Sequence, residues 1–202
     1  MNMNKYKHLF QTYLPTLILA SHSPARKELL EQLGCHVKVE PTNVEELYNH
    51  QDGKALALSL AQQKRDFYLE HHKRLTYPLI TADTIIQHGS RIIGKASTIY
   101  EAYDQLASFS GTEHSVISAC TITFCDKRMY HTVDSTTVYM KHLDKQTILE
   151  YLNTGEWKGA AGSYRIQQKA SSLIDRIEGD ITTVVGLPIE AISAILSSLG
   201  SF

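Results

Sequence analysis

Thr16-Leu-Ile-Leu-Ala-Ser-His-Ser-Pro-Ala-Arg-Lys-Glu-Leu-Leu-Glu-Gln-Leu-Gly34 is the stretch of this sequence that most clearly defines its fold. It begins with a short apolar run, residues 16–20, which is typical of a strand covered on both faces. Ser23 and Pro24 then supply an N-cap followed by proline at the first helical position, and Gly34 ends the helix. The stretch therefore predicts a buried strand that runs almost directly into a helix.

The rest of the chain continues this alternation of strands and helices. Further strands are predicted at residues 35–39, 77–82, 85–93 (a hairpin around Gly89), 116–124, 129–141, 172–177 and 182–185. Further helices are predicted at residues 54–69, 98–108 and 147–153, and from Pro188 to a stop at Gly200. Such alternation indicates an α/β fold with helices flanking a sheet. We expect an N-terminal extension over residues 1–15 and a single domain over residues 16–202.

Composition argues against several classes of protein. The chain has 202 residues, 20 Lys plus Arg against 21 Asp plus Glu, and a net charge of −1, whereas nucleic-acid binders usually carry a basic excess. Its three cysteines include no Cys-x-x-Cys pair, which favours a reducing cytoplasm over a disulfide scaffold. The apolar run at residues 17–20 is too short for a signal peptide. We expect a cytoplasmic protein with neither nucleic-acid nor membrane partners.

Two cations occupy unusual places in the predicted helices. Arg26 falls on the apolar stripe of the first helix, together with Leu29, Leu30 and Leu33. Lys64 falls in the middle of the apolar arc of the long helix at residues 54–69. A cation on a buried face is costly unless it meets an anion, and for Lys64 snorkelling to the edge of the helix is an equally good alternative.

Other polar residues stand where α/β proteins bind ligands. Asp83 follows the predicted strand at residues 77–82, at a carboxyl end of the kind where such sheets place ligands. Lys95 follows a glycine, and Glu45 and Glu46 lie in an acidic loop. Cations that clamp phosphates, and carboxylates that hold Mg²⁺ and activate water, would together suit a polyphosphate substrate.

Gly89-Ser-Arg-Ile-Ile-Gly94-Lys95-Ala96 nearly matches the phosphate-binding P-loop. However, Ala96 replaces the hydroxyl that should hold magnesium, and the intervening residues are bulky where the backbone must wrap a phosphate. A capping box at Thr98 and Glu101 also starts the next helix too late for Lys95 to lie in its first turn. A P-loop phosphohydrolase therefore stays an alternative with several features against it.

Several motifs resemble the Maf family of nucleoside triphosphate pyrophosphatases, in the family's order and over about residues 17–200. They are Leu17-Ile-Leu-Ala-Ser-His-Ser-Pro-Ala-Arg-Lys-Glu-Leu-Leu30, Leu60-Ala-Gln-Gln-Lys64, Ala82-Asp-Thr84, Gly94-Lys95, Ser110-Gly-Thr-Glu-His114 and Glu178-Gly-Asp-Ile-Thr-Thr-Val-Val-Gly-Leu-Pro188. The resemblance implies an elongated mixed β-sheet flanked by helices, of Maf/ITPase-like type, with two lobes and an active-site cleft. It also implies a homodimer.

The implied reaction is hydrolysis of a nucleoside triphosphate between its α- and β-phosphates, with Mg²⁺ or Mn²⁺ as cofactor. The resemblance assigns Asp83 as the catalytic base, and Glu46 (less surely Glu45) with Asp83 as metal ligands. The implied substrate-binding residues are Ser21, Arg26, Lys64, Thr84, Lys95 and Gln167, of which Thr84 and Gln167 correspond to positions linked to base selectivity.

The chain also departs from the family pattern. Ala25 replaces an arginine or a bulky residue, and Gly159-Ala160 replaces an Asp-Lys pair. Ala161-Gly-Ser-Tyr164 resembles the 7-methyl-GTP branch, whereas Asp83-Thr84 and Ile166-Gln167 resemble the dTTP/UTP branch. These departures leave open a 7-methyl-GTP-type pyrophosphatase and a non-catalytic nucleotide-binding regulator. Trp157 is expected to pack in the core and Tyr164 to line a wall.

Overall fold

A computed structural model of the chain describes residues 3–45, 47 and 52–200. Its helices are α1 (Asn4–Tyr13), α2 (Pro24–Gln32), α3 (Gly53–His71), α4 (Ile99–Phe109), α5 (Lys145–Leu152), α6 (Ile181–Val185) and α7 (Ile189–Leu199), with a 3-10 helix at Lys169–Leu173. Its strands are β1 (Thr16–Leu19), β2 (His36–Val39), β3 (Leu79–His88), β4 (Arg91–Ile93), β5 (Glu113–Thr123), β6 (Met129–Met140) and β7 (Ile174–Glu178). None of the described helices is long and apolar enough to cross a membrane.

Within the described residues, seven strands form one open mixed sheet in the order β2-β1-β3-β5-β6-β7, with β4 beside β3. Strand β1 is parallel to both β2 and β3, and the other pairings are antiparallel. Helices cover both faces of this sheet. The predicted α/β class and the mixed sheet flanked by helices are therefore confirmed.

Strand β3 has one closed edge and one interrupted edge. Strand β5 pairs with β3 from Leu79 to Gln87. On the other edge, β1 pairs only as far as Ile80, and β4 begins to pair at Ile86. No described strand pairs with that edge between Ile80 and Ile86. This gap opens the sheet to ligands at its centre.

Two hydrophobic clusters pack on the same face of the sheet, one on each side of this gap. The first contains Ile80 and Ala82 of β3 and the buried side chains of α1, α2 and α7. The second contains Ile86 of β3 and the buried side chains of α4 and α5. Trp157 is buried in the second cluster, which confirms its expected packing role. The clusters give the molecule two hydrophobic centres with polar Thr84 between them.

Helix α3 covers the opposite face of the sheet. Its Leu56 and Leu60 pack with Ile85 of β3, and its Tyr68 packs with Leu79. Because side chains alternate along a strand, Asp83 points to the α3 face and Thr84 to the other face. Both still reach the gap, since no strand covers this part of the edge.

Two of the predicted elements are wrong. Asp83 does not end a strand but lies in the middle of β3, because pairing with β5 continues past it to Gln87. Residues 182–185 are not a strand but lie in helix α6, where the side chain of Asp180 accepts from the N–H of Thr182. This cap starts the helix despite the β-branched residues that favour a strand.

The predicted helix caps and the C-terminal stop are observed, whereas the strand predicted at residues 172–177 begins only at Ile174 and the helix predicted at residues 147–153 begins already at Lys145. Ser23 caps α2 by accepting from Arg26 N, Thr98 caps α4 by accepting from Glu101 N, and Gly200 follows α7. Residues before the first strand form α1, whose Phe10 is fully buried in the first hydrophobic cluster. The division into an extension at residues 1–15 and a domain at residues 16–202 stays a prediction.

Candidate active site

A cleft of about 1360 Å³ runs along the interrupted edge of β3. Its lining includes every described residue that the sequence assigned to catalysis or substrate binding: Ser21, Arg26, Lys64, Asp83, Thr84, Lys95 and Gln167. These residues are far apart in the sequence and come from β3, α2, α3 and the loops after β1, β4 and α5. The fold therefore brings the predicted residues together at one place.

Arg26 lies at the start of α2 and is 8% exposed, as its place on the apolar stripe predicts. Its Nε donates to Gly186 O at 2.9 Å, and its Nη1 donates to Ser21 Oγ and to Ala82 O, both at 3.0 Å. Its Nη2 donates to Thr84 Oγ1 at 3.0 Å. These four oxygens of the protein fix the guanidinium in place.

Gly186 is required for this arrangement. Its φ is +121°, in the region that favours glycine. A Cβ at this position would lie 3.1 Å from Arg26 Nε and 3.3 Å from Thr84 Oγ1. The absence of a side chain lets the carbonyl of Gly186 approach Arg26 closely.

Lys64 and Asp83 form an ion pair on the other face of the sheet, where α3 packs on β3. Their side chains are 14% and 12% exposed. Lys64 therefore points inward to an anion and does not snorkel to the helix edge. Removing either partner would leave the other charge mostly buried, which is unfavourable. The pairing holds the Asp83 carboxylate in one position at the cleft.

The opposite wall of the cleft is more exposed. It contains Lys95, whose backbone forms an isolated bridge with Ala161, and Gln167, and both side chains are exposed. Arg165 also lines this wall and donates to the carbonyl oxygens of Glu156 and Lys158, which ties its loop together. Sequence reasoning did not single out Arg165; a cation in a glycine-containing loop is the only signal that could have found it.

A buried histidine supports Tyr164 in this wall. His114 is 2% exposed, its ring stacks on Phe109 at 4.2 Å, and its Nε2 lies 2.7 Å from Tyr164 Oη. Burial, with a smaller contribution from His88, lowers the pKa of His114 to about 4. His114 Nδ1 is buried and makes no hydrogen bond with the described residues. The direction of the hydrogen bond between Nε2 and Tyr164 Oη depends on the tautomer of His114.

Tyr164 lines the cleft, as the sequence predicted, and the buried contact to His114 fixes its ring. The role of His114 was missed, because a single histidine at the start of a strand gives no distinguishing pattern. The P-loop alternative is wrong. Its residues form β4 and the turns around it, and the next helix begins at Ile99, well after Lys95.

Binding of a divalent cation in the cleft would depend on its carboxylate side chains. No group of three or more His, Cys, Asp or Glu side chains that could hold a metal ion occurs among the described residues. Glu45 is exposed and does not line the cleft, and Glu46 lies outside the described residues. Mg²⁺ in phosphate-handling sites is commonly bound by one or two carboxylates together with substrate phosphates and water. Asp83 fits that limited role.

Comparison with known proteins places the chain in a family. Residues 16–199 match the family model described as Maf-like protein. The chain belongs to this family. The match by a Maf-like model over most of the chain confirms the resemblance carried by the motifs quoted above.

Similar Maf-like proteins come from bacteria and archaea. A dTTP/UTP pyrophosphatase of Agathobacter rectalis is 35% identical over 199 residues, covering 91% of this chain and 97% of that protein. A dTTP/UTP pyrophosphatase of Pyrococcus abyssi is 38% identical over 181 residues, covering 89% and 94%. Among solved structures, a HAM1 protein from Coxiella burnetii matches 92% of this Maf-like chain and 100% of its own, at 13% identity and a TM-score of 0.47.

Proposed function

We propose that this chain hydrolyses a nucleoside triphosphate between the α- and β-phosphates, releasing the monophosphate and pyrophosphate. The observation that carries the proposal is the cleft itself, where the Asp83–Lys64 pair lies beside a buried guanidinium held by neutral oxygens. Such a site combines a positioned carboxylate with fixed positive charge. The dTTP/UTP pyrophosphatases to which the chain is similar support the same reaction.

Asp83 accepts the proton of the attacking water in this proposal. A general base must be held within hydrogen-bond reach of its water, and the ion pair with Lys64 holds the carboxylate at the cleft. Lys64 thereby positions Asp83 and also adds positive charge beside the reacting phosphate. Fixed charges that need no rearrangement during the reaction stabilise a developing negative charge most effectively.

Arg26 and Lys95 bind the phosphates from opposite sides. Arg26 is buried, and the four oxygens described above hold its guanidinium in one position. Lys95 is exposed on the facing wall and can adjust to the leaving pyrophosphate. Ser21, whose hydroxyl accepts from Arg26 and from Ser23 N, belongs to the fixed side.

A divalent cation, Mg²⁺ or Mn²⁺, is part of the proposal. Asp83 would supply one carboxylate ligand, and Glu46 stays a second predicted ligand. When bound, such a cation neutralises phosphate charge and polarises the phosphoryl oxygens. The protein groups described above act alongside it by holding the base and the triphosphate.

For the base we propose a pyrimidine, as in the dTTP/UTP pyrophosphatases named above. Thr84 and Gln167 offer a hydroxyl and an amide that can read a base edge. Ala25, which is small and also lines the cleft, leaves room near this site. A higher kcat/KM for 7-methyl-GTP than for both UTP and dTTP would overturn this preference.

The reaction products test the proposed chemistry directly. A phosphate assay with Mg²⁺ and UTP or dTTP is run with and without added inorganic pyrophosphatase, and nucleotides are separated by chromatography. We expect phosphate signal only when pyrophosphatase is added, together with the nucleoside monophosphate. Full signal without it, accompanied by nucleoside diphosphate, would show attack at the γ-phosphate. Binding without turnover would indicate a regulator.

The proposal extends to a homodimer in the cytoplasm that has no nucleic-acid or membrane partner. These features come from the family resemblance, the charge balance and the cysteine usage. Light scattering after size-exclusion chromatography measures the mass of the assembly and would contradict the dimer if it gave about 22.7 kDa.

A further inference from the structure

A row of polar side chains crosses the sheet between the two hydrophobic clusters. Thr84 on β3 lies opposite Ser118 on β5, which in turn lies opposite Asp134 on β6. Thr183 of α6 lies over this row and contacts both Ser118 and Asp134. Ser118 is fully buried and is not among the residues that line the cleft, whereas Thr84 does line it.

The hydrogen-bond partners fix the direction of each hydroxyl in this row. Ser118 Oγ lies 2.7 Å from the carbonyl oxygen of Thr183, which can only accept, so Ser118 donates its one hydrogen there. Thr84 Oγ1 lies 2.8 Å from Ser118 Oγ, so the hydrogen between them comes from Thr84. Arg26 Nη2, which can only donate, makes the contact of 3.0 Å on the cleft side of Thr84. The hydrogen bonds therefore run in one direction from Arg26 to Thr183.

The far end of the row is anchored. Thr183 is fully buried, and its Oγ1 donates to Asp134 Oδ2 at 2.5 Å. This contact holds α6, and with it the Thr183 carbonyl, against the sheet. Reversing Ser118 would leave that carbonyl without its donor and place two oxygens in contact with no hydrogen between them, which is unfavourable in a buried site.

This direction determines what Thr84 offers to a ligand. A hydroxyl group has one hydrogen to donate and two positions that accept. In Thr84 the hydrogen goes to Ser118 and one accepting position goes to Arg26. The capacity that remains toward the cleft is to accept. Because phosphate oxygens only accept, the part of a nucleoside triphosphate that could donate to Thr84 is a group of the nucleoside that carries an N–H or O–H.

We propose that Ser118, which does not touch the substrate, sets its selectivity by holding Thr84 as an acceptor of a hydrogen bond from the nucleoside. This inference rests on the proposed triphosphate hydrolysis. Two groups of a uridine nucleotide could supply the hydrogen, the imide N3–H of the base or a hydroxyl of the sugar. Cytosine presents an accepting N3 at the same place and would face Thr84 with two lone pairs in contact.

Analogues that remove one donor at a time test the proposal. Pyrophosphate release is measured as kcat/KM with UTP, CTP, N3-methyl-UTP and the 2′- and 3′-deoxy analogues of UTP. For the wild type we expect a loss of about 10- to 100-fold on removing the one donor that Thr84 reads. Loss with N3-methyl-UTP and CTP identifies the base as that donor, whereas loss with a deoxy analogue identifies the sugar.

Two variants connect that loss to the row. Thr84→Val removes the acceptor, so the ratio between UTP and the discriminated analogue should fall close to one. Ser118→Ala leaves Thr84 in place but releases its hydrogen to rotate toward the cleft, so the same ratio should fall severalfold. Ser115→Ala, the same change on β5 but outside the row, is the matched control and should keep the wild-type ratio. Thermal unfolding confirms that each variant is folded, and Ser118→Cys, which nearly keeps the size of the side chain and accepts a hydrogen bond only weakly, replaces Ser118→Ala if that variant does not fold.

The outcomes separate this proposal from the function on which it rests. If UTP is hydrolysed but no analogue is discriminated, or if the Ser118 variant keeps the wild-type ratio, the role of Ser118 is wrong and the hydrolysis stands. If no nucleoside triphosphate releases pyrophosphate, the proposed function fails and the proposal fails with it.

Discussion

The two walls of the cleft are built in different ways. On the α2 side, Arg26 is buried and donates to four oxygens of the protein, and the neighbouring Asp83 and Lys64 form a nearly buried pair. On the facing side, Lys95 and Gln167 are exposed on loops. The fixed wall is held by the sheet and two helices, whereas the facing wall depends on loop contacts.

This difference suggests that the fixed wall serves catalysis and the facing wall serves substrate recognition. Catalysis gains most from charges that are already in place, because any rearrangement during the reaction costs free energy. Recognition of different substrates tolerates movement better, and loops on a rigid scaffold commonly carry it. We therefore expect substitutions in the fixed wall to lower the rate strongly, and substitutions in the facing wall to change binding.

The largest effect is expected for Asp83→Asn, in the fixed wall. Asparagine keeps the shape of the side chain but cannot accept the proton from water, and loss of a positioned general base typically lowers the rate by about 10²–10⁴-fold. Steady-state kinetics with UTP or dTTP measures kcat. Activity within threefold of the wild type would show that Asp83 is not the base.

The sequence predicted which residues line the cleft better than it predicted the structure around them. Arg26 and Lys64 could be found because a cation on an apolar helix face breaks the expected pattern. The position of Asp83 within β3 could not be read, because a polar pair in an apolar run resembles the end of a strand. It is tolerated there because Lys64 pairs with it and because β1 and β4 leave this part of the edge of β3 uncovered.

Two further features were missed from the sequence for different reasons. Helix α6 has a strand-like sequence, and the decisive signal is its cap at Asp180, which competes with the preference of β-branched residues for strands. Ser118 interrupts an apolar run, but its neighbours Thr84 and Thr183 come from other elements. Local patterns do not contain that information.

The second prediction concerns His114, a buried histidine that supports Tyr164 in the facing wall. The pKa of this histidine falls from 6.5 to about 4 in the folded protein, so the unfolded chain binds a proton that the native state does not. The neutral ring therefore contributes to the free energy of unfolding above about pH 6.5. This contribution, about 3 kcal/mol in total, is lost as the pH falls from 6.5 toward 4.

His114→Gln tests this, because glutamine does not titrate and its amide can either donate a hydrogen bond to Tyr164 or accept one from it. We expect the free energy of unfolding of the variant to depend less on pH between 6.5 and 4 than that of the wild type. Urea unfolding at a series of pH values measures the slope, with His131→Gln, an exposed histidine on β6, as the control. Equal slopes for wild type and His114→Gln would contradict the prediction.

A somewhat smaller effect on stability is expected for Lys64→Met in the fixed wall. The methionine keeps much of the apolar stem but removes the ammonium group that neutralises the largely buried Asp83 carboxylate. We expect the free energy of unfolding to fall by about 1–3 kcal/mol, the usual cost of a buried polar group that loses its partner. The double variant Lys64→Met/Asp83→Asn should recover most of this loss, and equal instability of the single and double variants would contradict the ion-pair argument.

The smallest effect on stability is expected for Lys95→Ala, in the facing wall. Lys95 is exposed, so its removal should change the free energy of unfolding by no more than about 0.5 kcal/mol. Its charge should still matter for substrate, and we expect KM for the triphosphate to rise about 3- to 10-fold at low salt, with kcat nearly unchanged, because an exposed cation attracts phosphate over roughly a Debye length. Raising the ionic strength to about 0.5 M should remove most of the difference in KM, since salt screens exposed charges.

Lys145→Ala, which changes an exposed lysine on α5 that does not line the cleft, is the matched control. An equal rise in KM for Lys145→Ala would mean that the net charge of the protein, and not the place of Lys95 in the cleft, attracts the substrate. A large loss of kcat in Lys95→Ala would place Lys95 among the fixed groups and would contradict the distinction between the two walls.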